Sequence, residues 1–217
     1  LFRSEKVQVD GRAIAPGTLT AVITDLRTLL GAQPSLAAEA TFVHLWTAVT
    51  FEALRRCGTK LAIIEASAGG RYDATNVVQP LVAVITNVGH DHLTFLGPTL
   101  ADVAYHKAGV IKPGVPAVTA ALHPDALPVI EREAAAVGTP LWRLGREVRL
   151  QVHRVDASGS VFSVDTPAAH HADLHTAMLG PHQAVNAALA VAACDLLARS
   201  EEHTSELQSR GLISYAV

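Results

Sequence analysis

Two short apolar runs, 61–64 (LAII) and 81–85 (LVAVI), are rich in Val and Ile and bounded by loop signals. Runs of that kind predict buried parallel strands. Each ends in polar residues: Glu65 after the first, Thr86 and Asn87 after the second, with Asp91 and His92 beyond. Ligands of open α/β sheets bind in the crevice outside the carboxyl ends of the strands. A carboxylate, an Asp-His pair and, further on, a lysine are therefore expected around one site.

The rest of the chain supplies the helices and a second kind of sheet. Val7, Val9 and the Asp10-Gly11 pair predict a strand and turn. Apolar spacing of three and four predicts a helix over 19–30, and Pro34-Ser35 opens a long helix over 36–56, ended by Gly58. His44 within it reads more readily as a packed or solvated residue than as a ligand. Ala68-Gly69-Gly70-Arg71 is a loop after a strand, in which glycines allow close backbone approach to a ligand, though an ordinary turn would also explain them. Thr99 with Asp102 forms a capping box ahead of a helix over 100–108, and Lys107 falls near its end. A strand at 116–121, a helix at 124–137 and a short strand at Leu141 continue the βαβ alternation. From 147 to 164 the pattern alternates, with a turn at Ser158-Gly159, which predicts an antiparallel hairpin extended by a strand near 174–179. Gly180-Pro181 starts a last helix over 182–198. Gln183 and Asn186 lie in its first turns, beside unpaired N–H groups suited to phosphate. Plain capping of an alanine-rich core helix explains them equally well.

Composition narrows the class. The 217 residues are 49% hydrophobic with a net charge of −3, which predicts a real core and, lacking a basic block, no nucleic-acid partner. Two isolated cysteines, Cys57 and Cys194, offer neither a disulfide framework nor a zinc pattern and point to a reducing, cytoplasmic setting. No run approaches the roughly 18 apolar residues of a membrane span, and no secretory signal is visible. The chain begins at Leu1 rather than a methionine. Near its other end, RSEEHTSELQS (199–209) resembles an in-frame translation of a common sequencing adapter, so 1–198 is expected to be the domain and 199–217 an artefact tail.

Three ordered motifs carry a resemblance: EASAGGRYDATNVVQP, ITNVGHDHLTFLGPTLADVAYHKAGVIKPG and LGPHQAVNAALAVAA. Together they resemble folylpolyglutamate synthase and dihydrofolate synthase, in the Mur ligase superfamily. SEKVQVDGRAI and ATFVHLWTAVTF fit the folate-side region of that family. The resemblance implies an α/β fold: a three-layer αβα, mainly parallel sheet of the Mur ligase central ATPase type, with an added antiparallel hairpin. It implies ATP-dependent ligation of L-glutamate to dihydropteroate or a reduced folate through an acyl phosphate, with Mg2+. By resemblance, Glu65 and His92 are magnesium ligands, and Lys107 matches the lysine that carries a carbamate. Asn186, with Gln183, lies at the nucleotide, and Arg71 and Asp73 lie in the loop near the folate substrate.

The chain departs from the family pattern at Ser67-Ala68, at His90 and at His44. No G-x-x-x-x-G-K-[ST] occurs in the 217 residues. That loop cradles phosphates and supplies a magnesium ligand, so the chain as given is expected to be an inactive central-domain fragment. Three rival readings remain. A cell-wall Mur-type amino-acid ligase shares the Glu, His and Lys roles. A metal-dependent hydrolase would use His90-Asp91-His92 with His106 or His123 nearby, but zinc hydrolysis needs three or more converging protein ligands. A non-catalytic binding module fits a fragment without the P-loop.

Overall fold

The computed structural model describes residues 7–90 and 93–209, with 201–209 described as backbone. It falls into two compact units, 1–67 and 68–217.

In the first unit, β1 (Gln8–Val9) and β2 (Arg12–Ala13) form the expected hairpin. Asp10 and Gly11 both take positive φ, 51° and 72°, as a two-residue turn of this hand requires. Helices α1 (Pro16–Ala32) and α3 (Phe42–Arg56) pack around Leu19, Val22, Val49 and Ala53, with Val7 and Ile14 beneath. The helix expected over 36–56 is broken into α2 (Pro34–Glu39) and α3. The break is a local capping box without Glu or Gln. Thr41 Oγ1 accepts the His44 N–H at 3.4 Å, and His44 Nδ1 accepts the Thr41 N–H at 3.3 Å. Those two bonds satisfy donors that a continuous helix would have paired internally. His44 is thus a capping residue. Thr41→Ala is expected to lower stability by about 1 kcal/mol, read as a shift in the urea midpoint at unchanged slope.

The strand expected at 61–64 is not formed. Residues 61–66 carry no strand or helix assignment, and Ile63 is 98% exposed. A short apolar run becomes a strand only where a ladder partner takes up its backbone groups, and 61–64 has none among the described residues.

The second unit has three layers. β3 (Ala83–Ile85), β4 (Ala117–Thr119) and β5 (Leu141–Arg143) form a parallel sheet in that order, with Ile85 opposite Thr119 and Val118 opposite Trp142. Side chains alternate across the sheet. Ala83, Ile85 and Ala117 pack with Val103 and Ala104 of α5 (Leu100–Ala108) and Ile130 of α6 (Leu127–Ala136). Val118 and Trp142 face the other way, onto Ala184, Ala188, Leu189 and Ala192 of α7 (Pro181–Ser209). The Thr99–Asp102 capping box of α5 is present, with a 3.0 Å bond from Thr99 N–H to the carboxylate. A further one-turn helix, α4 (Leu93–Leu96), precedes it.

α7 also receives the inner face of an antiparallel sheet, β6 (Arg149–Asp156), β7 (Gly159–Asp165) and β8 (His170–Thr176), through buried Phe162 and Val164. The hairpin turn lies at 157–158, because Gly159 already pairs with Asp156. The third strand begins earlier than expected. Thr166 N–H donates to the Ala169 carbonyl at 2.9 Å, which closes a tight turn and starts β8 at His170. α7 continues past residue 198 to Ser209. Among the described residues no helix is long and apolar enough to cross a membrane.

Arg143, at the end of β5, joins two carboxylates. It pairs with Glu131 of α6 and with Glu147 at 2.6 Å. The Arg143 hydrogen bonds outweigh burial and hold the Glu147 carboxyl at about 2, below the usual 4.5. A carboxyl depressed in the folded state adds stability above its unfolded value and loses it as pH falls through its folded value. Glu147→Gln is therefore expected to remove about 2 kcal/mol at neutral pH. It should also flatten the fall in stability between pH 4.5 and 2, read by denaturation at a series of pH values.

Candidate functional site

The second unit brings three of the expected site residues, Arg71, Asp73 and Lys107, to one place: the loop 68–77 wrapped on the C-terminal turn of α5. A helix leaves its last four carbonyls without intrahelical partners. Here the Arg71 N–H donates to the His106 carbonyl at 2.7 Å, and Arg71 Nε donates to the Tyr105 carbonyl at 3.2 Å. The guanidinium lies 3.9 Å from the Tyr105 ring centroid and is ion-paired to Glu133 of α6. Asn76 Nδ2 holds both the Arg71 carbonyl, at 2.9 Å, and the Gly109 carbonyl, at 3.3 Å. Lys112 Nζ donates to the Asn76 carbonyl at 3.3 Å.

The glycines of the motif serve this contact. A Cβ on Gly70 would lie 2.7 Å from Val110 Cγ1 and 3.0 Å from the Lys107 carbonyl oxygen. A Cβ on Gly109 would lie 2.4 Å from Arg71 Cα. The close approach at Gly69-Gly70, expected toward a ligand, is made to the end of α5, whose atoms fill the space a side chain would need.

Asp73 caps the 3-10 turn Ala74–Val77. Its Oδ1 accepts from the Thr75 N–H at 2.9 Å, and its Oδ2 accepts from the Ala68 N–H at 3.0 Å. Lys107 is half-buried, and among the described residues its amine has no hydrogen-bond or ion-pair partner. Tyr72 is exposed and meets the His106 ring edge-on, at 5.5 Å between centroids.

Gln183 and Asn186 sit together in the first turns of α7. Asn186 Nδ2 donates to Gln183 Oε1 at 3.1 Å, and the Gln183 N–H is taken by the Gly180 carbonyl at 3.0 Å. Glu65 belongs to the first unit, in the irregular stretch 61–66, exposed and without a partner among the described residues. His92 and Asp91 lie outside the described residues, and so does most of the His-Asp-His triplet; His90 is exposed. Among the described residues no group of three or more His, Cys, Asp or Glu side chains is placed to hold a metal.

The Mur ligase middle domain matches residues 18–194. The chain belongs to the Mur ligase middle-domain family. A dihydrofolate synthase/folylpolyglutamate synthase of Bacillus subtilis is 33% identical over 213 residues, covering 97% of this chain and 49% of the relative. The apo form of Lacticaseibacillus casei folylpolyglutamate synthase superposes with a TM-score of 0.85 at 30% identity, covering 92% of this chain and 49% of that one. A folylpolyglutamate synthase complex with AMPPCP and folate also gives 0.85 at 30% identity, covering 93% and 50%. The chain spans about half the length of the curated relatives it matches.

Glu133 and Gly109 are the residues of this cluster that the motifs did not single out. Glu133 stands 62 residues from Arg71 and carries no local signal. Gly109 follows Lys107 in the KAG run, and its place after a helix end is the one clue it offered.

Proposed function

We propose that this chain is the middle part of an ATP-dependent ligase that joins L-glutamate to dihydropteroate or a reduced folate. The match that supports it most is the 33% identity to a dihydrofolate synthase/folylpolyglutamate synthase across 97% of the chain. The AMPPCP and folate in the complex of a structural relative support the same ligand classes.

In the proposed reaction a folate-side carboxylate oxygen attacks the γ-phosphorus of ATP, giving an acyl phosphate and releasing ADP. The neutral amine of glutamate then attacks the acyl carbon. Phosphate leaves, the amine proton is lost, and an amide remains. Such transfers need charge neutralisation and alignment more than covalent help from the protein.

Glu65 and His92 are the proposed magnesium ligands. Magnesium is held by one or two carboxylates while keeping water and substrate oxygens, and the Glu65 carboxylate, exposed and without a partner among the described residues, fits that demand. Bound there, the metal would neutralise phosphate charge. Lys107 is proposed to react with carbon dioxide, forming an N–C bond and releasing one proton, so that the side chain becomes an anion. Its amine is half-buried and, among the described residues, without a partner, which leaves it open to that step. Gln183 and Asn186 are proposed to face the nucleotide, and Arg71 and Asp73 to shape the loop bordering the folate substrate.

The test is ADP release by a polypeptide that completes the chain to the length of its relatives. Release over many turnovers is expected only when glutamate and dihydropteroate or tetrahydrofolate are both present. The 217 residues alone are expected to give none. Release indifferent to glutamate would overturn the proposal.

A further inference from the structure

We propose that Arg71 is a positioning residue for Lys107, acting through the last turn of α5 and braced by Glu133, rather than a contact to substrate. The inference rests on the reading of Lys107 as the lysine of phosphoryl transfer.

Both halves of Arg71 are committed to the carbonyls just before Lys107. Its backbone N–H holds the His106 carbonyl at 2.7 Å and its Nε holds the Tyr105 carbonyl at 3.2 Å. A cation at this end of a helix also meets the negative pole of the dipole. The far side of the guanidinium is used as well, stacked on Tyr105 at 3.9 Å and paired with Glu133. Arg71 and Glu133 side chains are only 23% and 22% exposed, so the pair faces inward more than toward solvent. Gly109 seals the arrangement from below, since a Cβ there would collide with Arg71 Cα at 2.4 Å. Replacing the Arg71 side chain frees the Tyr105 carbonyl and breaks the brace to Glu133, which loosens the turn on which Lys107 stands while touching no atom of Lys107 itself. A planar fork that stacks and donates at once is a property of arginine that lysine does not share.

The experiment uses the 217-residue chain with Arg71→Gln and, as a milder change, Glu133→Gln. Lys107 is labelled with a small amine-reactive reagent, and mass spectrometry gives its rate relative to Lys60, which lies in the other unit. In variants whose circular dichroism matches the parent, the Lys107 to Lys60 ratio is expected to change by about fivefold, the factor that roughly 1 kcal/mol of local ordering carries. An unchanged ratio overturns the proposal. If Arg71→Gln does not fold, Glu133→Gln decides alone. In the completed enzyme, a raised KM for the folate substrate at constant kcat in Arg71→Gln would mark a substrate contact and also overturn it. Labelling does not depend on ligation, so failure here leaves the ligase assignment standing, and failure of ligation leaves the labelling result intact.

Discussion

Gly109→Ala is expected to destabilise the second unit by about 3 kcal/mol, at the upper end of what overpacking a filled site costs. The cause is not the backbone conformation. Gly109 has φ −63°, which alanine adopts freely. The cause is space: the added methyl would sit 2.3 Å from Arg71 Cβ and 2.4 Å from Arg71 Cα. Those atoms cannot move alone. The Arg71 N–H is bound to the His106 carbonyl, and its own carbonyl is bound to Asn76, which also holds the Gly109 carbonyl. The loop 68–77 must therefore lift from α5 as a body, or the helix end must unwind. Urea denaturation of the 217-residue chain checks this. Gly114→Ala is a useful contrast, because its φ of 74° is strained for alanine but nothing lies within 4 Å of the added atom. A loss at Gly109 no greater than that at Gly114 would show that the loop is not clamped there.

Lys107→Ala, in the completed enzyme, is expected to lower ligation by at least about a hundredfold, the scale of removing a charge-organising group from a transfer site. Its stability should hardly change. Before it reacts with carbon dioxide the side chain is a cation at a helix C-terminus, and losing that cation is worth under about 1 kcal/mol. The neighbouring carbonyls keep their partners in Arg71, because those bonds do not pass through the lysine side chain. Added short-chain carboxylates are expected to restore part of the activity by supplying the missing anion. Full activity in the alanine variant would end the role proposed for Lys107. A large loss of stability would move the residue from chemistry to structure.

The elements that could be read from sequence were those whose signals are local. Val-rich runs marked β3 and β4, Thr99 with Asp102 marked the start of α5, and the alternation from 147 to 164 marked β6 and β7. What escaped was decided at a distance or by an uncommon local choice. The run 61–64 has the composition of a strand, yet among the described residues it lacks a ladder partner, and composition does not report partners. The break before α3 depends on a histidine doing the work usually done by Glu or Gln at the third helical position. The motif around Gly69-Gly70-Arg71 was visible as a motif, but its contacts were not. Arg71 finds its carbonyl acceptors and its carboxylate partner on two helices later in the chain, and no spacing rule connects them. The candidate site was thus legible as a set of residue types, while the bracing around Lys107 emerged only from packing.

In the proposed reaction a folate-side carboxylate is activated by ATP and then captured by glutamate. Heavy-oxygen label placed in that carboxylate tests this, with the phosphate released by the completed enzyme read by mass spectrometry. One labelled oxygen is expected in each phosphate, formed only when glutamate is present and in step with a product heavier by one glutamyl residue. Unlabelled phosphate, or turnover with a cell-wall muramyl substrate and none with a folate, would contradict it.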